Sequence, residues 1–191
     1  MSHDLRPDAP TARADRYARL SRHFADLLAA VPDDAWTAPT PCPDWTVRDL
    51  VRHVVDSPAM FEQLVGRTLR PHPPVEDDPV AALHAVRDQV LAELRDPAAA
   101  EAPFEGHFGP STFGEAVDRF VCFDLVVHGW DLARATGQDA AIDPADLARL
   151  WQDADLFGPS LRSEGVCGPA VEAPADADEQ TRLLAHLGRR A

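Results

Sequence analysis

A chain of 191 residues, 45% of them hydrophobic, carries 32 Asp and Glu against 18 Lys and Arg, for a formal net charge of −14. The length suits one domain with a real core, and the hydrophobic content excludes global disorder. The acidity argues against a nucleic-acid or anionic-membrane partner, since both need clustered Lys and Arg.

Residues 1–10 hold two prolines and little hydrophobicity, and read as a flexible N-terminal tail ahead of a single domain spanning 11–191. From Thr11 to Val31 apolar residues (Tyr17, Leu20, Phe24, Leu27, Leu28 and Val31) recur at three- and four-residue steps, the period of a helix. The proline-dense PDDAWTAPTPCPDW interrupts it. Thr46 is a good N-cap, and Asp49 stands at the capping-box position, so a second helix starts there and runs towards Leu64. Pro58 marks a kink or break in it. RPHPPVEDDP is a linker, and the third helix covers Val80 to Leu94. Asp96 to Ser111 reads as a loop with a short extended piece. The fourth helix runs from Thr112 to Thr136, with Gly137 as its C′ residue. A shorter helix, Pro144 to Asp155, and a last one, Ala177 to Leu187, complete the chain. There is no internal repeat and no convincing strand alternation. The expected class is all-α, a four-helix bundle with long crossover connections and short C-terminal helices.

The three cysteines, Cys42, Cys122 and Cys167, are odd in number and form no CxxC, so no disulfide framework is expected. Cys122 reads as a small apolar packer. The N-terminus has no signal-peptide core, and no apolar run approaches membrane-spanning length. A cytoplasmic protein with reduced thiols is expected.

The stretch FDLVVHGWDLARATG, from Phe123 to Gly137, carries the chemistry. On a helical wheel His128 lies about 40° from Asp124 and Asp131 about 20° to its other side, among Val117, Phe120, Val121 and Val127. A carboxylate and an imidazole in the middle of an apolar stripe require compensation. The second helix repeats the anomaly: Met60 and Leu64 lie within about 20° of His53 and Leu50 within about 60°, which aims His53 at the core. His53, Asp124 and His128 together make two imidazoles and one carboxylate. That is the ligand set of an open catalytic zinc site, and it also suits iron(II), nickel or manganese. The competing reading is a metal-free bundle in which Asp124 and His128 form a structural pair at i, i+4 spacing. Asp131 is placed to orient an imidazole N–H, or to pair with Arg134. His107, in GHFG, is either a pocket residue on a mobile loop or a solvated loop histidine. His3 and His72 lie in tail and loop, and His23, His84 and His186 on helix surfaces. Trp45 and Trp130 read as packing residues.

TPCPDWTVRDLVRHVV, VVHGWDLARATGQ and the closing FGPSL…VEAPADADEQTRLLAHLGRR resemble actinobacterial proteins related to the metal-binding domain of mycothiol-dependent maleylpyruvate isomerase, in the DinB-like superfamily. The resemblance spans about Arg16 to Arg190. It implies a DinB-type bundle in an up-up-down-down arrangement. It also implies a divalent metal, usually zinc, on His53, Asp124 and His128, with mycothiol as cosubstrate. The isomerase has Glu where this chain has Asp124, one methylene shorter. It also carries a further C-terminal domain for which the residues after Asp143 leave no room, so the resemblance extends to the metal site and the thiol more than to the isomerisation. The function expected is a metal-dependent thiol transferase or isomerase acting on a small-molecule thiol and an electrophile. The alternative is a non-catalytic metal- or small-ligand-binding helical module, acting as a homodimer.

Overall fold

Capping chemistry sets most of the helix starts in the computed structural model, which describes residues 10–163 and 166–190. The expected tail lies outside the described residues, apart from Pro10, which opens α1 (Pro10–Ala29). At α2 (Val47–Asp56) the Thr46 hydroxyl accepts from the Asp49 N–H and the Asp49 carboxylate accepts from the Thr46 N–H, a complete capping box. Pro58 has no N–H to continue that helix, so α2 stops and α3 (Pro58–Leu64) begins with the proline at its N-terminus. Asp78 caps α4 (Pro79–Arg95), with Pro79 at the first helical position. A short α5 (Pro97–Ala100) follows.

The segment expected as a loop contains an antiparallel hairpin, β1 (Pro103–Gly106) with β2 (Gly109–Thr112), paired from Pro103↔Thr112 to Gly106↔Gly109. Its strands are only four residues each, too short for alternation to register in the sequence. Thr112 and Glu115 then form a second capping box that starts α6 (Phe113–Ala116). A π-helical turn, Val117–Val121, joins α6 to α7 (Cys122–Thr136), which ends at left-handed Gly137. After these come α8 (Pro144–Phe157), a 3₁₀ turn Gly158–Arg162, and α9 (Glu179–His186).

The chain is thus mostly helical, with one small two-stranded element. Helix α1 packs against α4 and α7, α2 packs against α7 and α4, and α8 against α9. Phe24, Leu28, Leu50, Leu94, Phe113 and Leu132 are fully buried in one continuous core. Each such side chain contributes about 1.5–3 kcal/mol by leaving water. Among the described residues no helix is long and apolar enough to cross a membrane. One inward-facing expectation fails: Met60 is 57% exposed and Leu64 44%. A wheel drawn through Pro58 treats as one helix what the proline divides in two, so residues after it turn to another face.

Below the break, fully buried Glu62 meets Arg67, whose Nε donates to Glu62 Oε2 at 3.1 Å and lies 3.4 Å from Glu93 Oε2. The Arg67 guanidinium also lies over the Phe113 ring, 4.3 Å from its centroid. One guanidinium therefore faces two carboxylates. Burial first, and then the hydrogen bond to Glu93, push Glu62 up from its ordinary 4.5 to about 7. Between those values the folded chain holds a proton that the unfolded chain has released, so stability is lost as pH rises through the window. Thermal melts across it are expected to show a falling midpoint for the parent chain. Glu62→Gln, which keeps the shape and an acceptor for Arg67, is expected to flatten that dependence and to melt higher than the parent above pH ~7.

Candidate metal centre

Three local devices bring the site together. Asp124 and His128 stand one turn apart on α7, directly after the π-helical turn, a distortion frequent at functional sites. His53 comes from the last turn of α2. The proline-rich loop before α2 is folded back by the bridge Pro39↔Thr46 and by a turn in which the Trp45 N–H reaches the Cys42 carbonyl at 3.2 Å. That turn holds Asp44 at φ 66, a left-handed conformation costly for a residue other than glycine. From the other end, α9 closes in a Schellman motif: Gly188 N–H reaches Ala185 O at 3.0 Å and Arg189 N–H reaches Leu184 O at 2.8 Å. Gly188 has φ 83, and a Cβ there would meet Pro169 O at 3.0 Å, so only glycine lets the chain turn and carry Arg189 inward.

The ligand atoms of His53, Asp124 and His128 all lie within 4.8 Å of one another. His53 Nε2 is 3.3 Å from Asp124 Oδ2, close to the ~3.4 Å edge of a tetrahedron with zinc–ligand bonds near 2.1 Å. The side chains of His53 and Asp124 are about a third exposed, at 33% and 32%, whereas His128 is 9% exposed. The open side of the cluster thus faces a cleft of about 1040 Å³. Trp45 packs its ring on both imidazoles, with centroids 4.9 Å from His53 and 5.8 Å from His128.

Behind His128 lies a fully buried carboxylate. Asp131 Oδ2 accepts from His128 Nδ1 at 3.0 Å, which puts a ring proton on Nδ1 and turns Nε2 toward the cleft side of the ring. Arg189 grips the same carboxylate from the far side, Nη2 to Oδ2 at 3.0 Å and Nε to Oδ1 at 3.3 Å. Burial raises the Asp131 pKa, but the His128 hydrogen bond and the Arg189 charge outweigh it and hold the carboxyl below the usual carboxylate range. The Cys42 thiol also donates to Asp131 Oδ2, at 3.2 Å.

Cys42, His128 and Asp131 form a second group with metal-ligand spacing. That group is already satisfied, because Arg189 supplies its cation, 3.0 Å from Asp131 and 3.5 Å from the Cys42 sulfur. Burial, and then Asp131, push the Cys42 thiol up to about 12. A protonated thiol beside a guanidinium is a poor metal ligand. No guanidinium reaches the His53, Asp124 and His128 group among the described residues, where His53 Nε2 faces Asp124 Oδ2 at 3.3 Å.

Asp131 thus meets His128 and Arg189, while Arg134 lies over the Trp130 ring. His107 stays outside this cluster. It sits in the hairpin turn, 3.4 Å from Ser160 Oγ and edge-on to Phe108. Cys42 and Arg189 were not legible as site residues in the sequence. No periodicity links Cys42 to α7, and Arg189 is 58 residues from its partner. The only local signal for Arg189 was the glycine after an amphipathic helix, in LGRR.

Helices that converge a histidine of one and an acid-histidine pair of another on an apolar cleft define a class of helical proteins with a candidate metal centre. Within that class the chain belongs to the family of the mycothiol maleylpyruvate isomerase N-terminal domain, whose model matches residues 17–133. Two uncharacterised proteins of Mycobacterium tuberculosis, from strains CDC 1551 / Oshkosh and ATCC 25618 / H37Rv, are each 34% identical to it over 179 residues. The match covers 91% of this chain and 95% of each relative. No solved structure matches the chain significantly.

Removing the carboxylate of Asp131 tests this arrangement. Asp131→Asn leaves Arg189 buried without its counter-charge, so a loss of about 3–5 kcal/mol is expected, read as a lower melting midpoint. In the parent chain, Cys42 is expected to resist iodoacetamide at neutral pH although it lines the cleft. Its alkylation, followed by mass spectrometry, should accelerate in Asp131→Asn because the charge opposing thiolate formation is gone.

Proposed function

We propose that His53, Asp124 and His128 hold a divalent metal, zinc before nickel, iron(II) or manganese, in a DinB-like four-helix bundle of up-up-down-down arrangement. On this reading the chain uses mycothiol as cosubstrate in a thiol transfer or isomerisation on a small electrophile. The observation that carries the proposal is the convergence of three unprotonated-capable donors within 4.8 Å at the wall of a cleft, with His128 turned to offer Nε2. Family membership supplies the connection to mycothiol.

A divalent cation bound there supplies a Lewis acid that lets a coordinated thiol lose its proton at neutral pH. The chain's own residues do the rest. Asp131 holds the His128 proton on Nδ1, so the imidazole cannot rotate or present the wrong tautomer. Val127 and Phe123, buried beside the cluster, exclude water from one side, while Asp124 brings the one carboxylate of the three donors. Burial is the first cause that raises the thiols of Cys42, Cys122 and Cys167 above the ordinary range. An external thiol is therefore the nucleophile this cleft is suited to.

Protein purified without a histidine tag is expected to carry metal close to one per chain by mass spectrometry of the elements. His53→Ala and His128→Ala should each lower occupancy strongly while the far-UV circular dichroism stays helical. Unchanged metal content in both variants would sink the proposal. With zinc-loaded protein, conjugation of mycothiol to a bimane electrophile should be accelerated, and His128→Ala should abolish the acceleration. Metal binding without acceleration would leave the non-catalytic module as the function.

A further inference from the structure

Beyond the three donors, the cleft is walled by aromatic rings. Phe61 stacks on Phe120 at 5.5 Å between centroids with 13° between planes, and Phe120 stacks on Phe157 at 5.3 Å and 7°. These rings line the same cleft as His53 and Asp124. Phe61 and Phe157 are buried, but Phe120 is only partly so. At the same cleft Met60 and Val166 stand 57% and 54% exposed. Single exposed apolar side chains are ordinary. Gathered around one concavity beside a row of stacked rings, they form a surface that water wets poorly and an apolar ligand fits well.

The guanidinium groups of the cleft are held by partners within the protein. Among the described residues its lining cations are Arg162 and Arg189. Arg189 serves Asp131 and the Leu187 carbonyl, the latter at 2.9 Å. Arg162 donates to the Gly168 carbonyl at 2.8 Å and to the His186 carbonyl at 2.5 Å. The lining also contains Asp56 and Asp124. A dicarboxylate entering here would shed its hydration beside the Asp56 carboxylate, with the guanidinium N–H groups named above turned to other partners, although Arg162 keeps its charge because those partners are neutral carbonyls. A neutral planar ring incurs none of that penalty and gains offset stacking, worth about 0.5–1.5 kcal/mol beyond its buried area.

Resting on the metal and thiol reading above, we propose that the second substrate of this cleft is a neutral, planar aromatic electrophile seated against the Phe61–Phe120–Phe157 column, and not a dicarboxylate. An α,β-unsaturated aromatic ketone illustrates the chemistry. The thiol sulfur forms a bond to the β-carbon as the C=C π bond breaks, and the thiol proton ends on the α-carbon. The adduct contains every atom of both reactants, and nothing is oxidised or reduced.

The probe is 4-phenylbut-3-en-2-one, with fumarate as the dianionic comparison, titrated into the full chain both zinc-loaded and stripped with chelator. Quenching of tryptophan fluorescence and calorimetry read the affinities. The ketone is expected to bind at least about tenfold more tightly than fumarate, in both forms of the protein. Phe120→Ala is expected to weaken ketone binding about three- to tenfold, the loss of one stacking partner. Should Phe120→Ala fail to fold, Met60→Ser at the exposed rim replaces it, with weakening in the same direction. Fumarate binding equal to or tighter than the ketone, or fumarate binding lost in Arg162→Ala, overturns the inference. So does ketone affinity indifferent to both cleft variants. Ketone binding in a chain that takes up no metal removes the metal reading and leaves the aromatic seat standing, whereas metal uptake without ketone binding does the reverse.

Discussion

A carboxylate with no exposure at all, Asp131, has to be compensated before the helix that carries it can be buried. An isolated charge in that position would cost several kcal/mol, more than a fold of this size can spare. Three groups meet it: the Nδ1–H of His128 one turn away on α7, the Cys42 thiol from the proline-rich loop, and the guanidinium of Arg189 from beyond α9. The requirement therefore ties together three segments that are remote in sequence. It also fixes the tautomer and the direction of His128, so electrostatic compensation in the core and the presentation of a donor nitrogen to the cleft are one arrangement.

Much of the helix pattern was legible in the sequence, for identifiable reasons. Thr46 with Asp49, Pro79, Pro144 and Gly137 act locally, through hydrogen bonds and φ angles within a few residues, and the helix ends they specify lie within about two residues of those observed. The wheel of α7 put Asp124, His128 and Asp131 on one face because that helix is regular from Cys122 onward. Legibility failed where regularity did. Pro58 turned Met60 and Leu64 away from the core. The π-helical turn between Val117 and Val121 interrupts the 100° step, although Val117 and Val121 are buried as the wheel placed them. The hairpin around His107 is too short to show a period. Cys42 and Arg189 reach the site through tertiary folding alone, and no periodic rule connects positions 42, 131 and 189.

The cleft combines two surfaces of different kinds. On the α7 side stand polar donors held by neighbours, and on the other a row of phenylalanines whose near-parallel planes leave little room for polar contacts. The left-handed Asp44 lies on the loop that bounds the polar side and carries Cys42, so backbone strain falls there where a side chain must be held in place. The aromatic side is less demanding of geometry, because offset stacking is satisfied over a range of arrangements.

Holding Cys42 in its protonated form has a further consequence. On the proposed function a small thiol enters beside a cysteine, a setting that invites mixed disulfides whenever either sulfur becomes oxidised. With its pKa pushed up to about 12, Cys42 is held as the thiol at neutral pH, and its attack on an oxidised partner is slowed because the thiolate is the nucleophile. Burial first, and then the carboxylate that orients His128, thereby guard Cys42 against being capped by the thiol the proposal brings to the cleft.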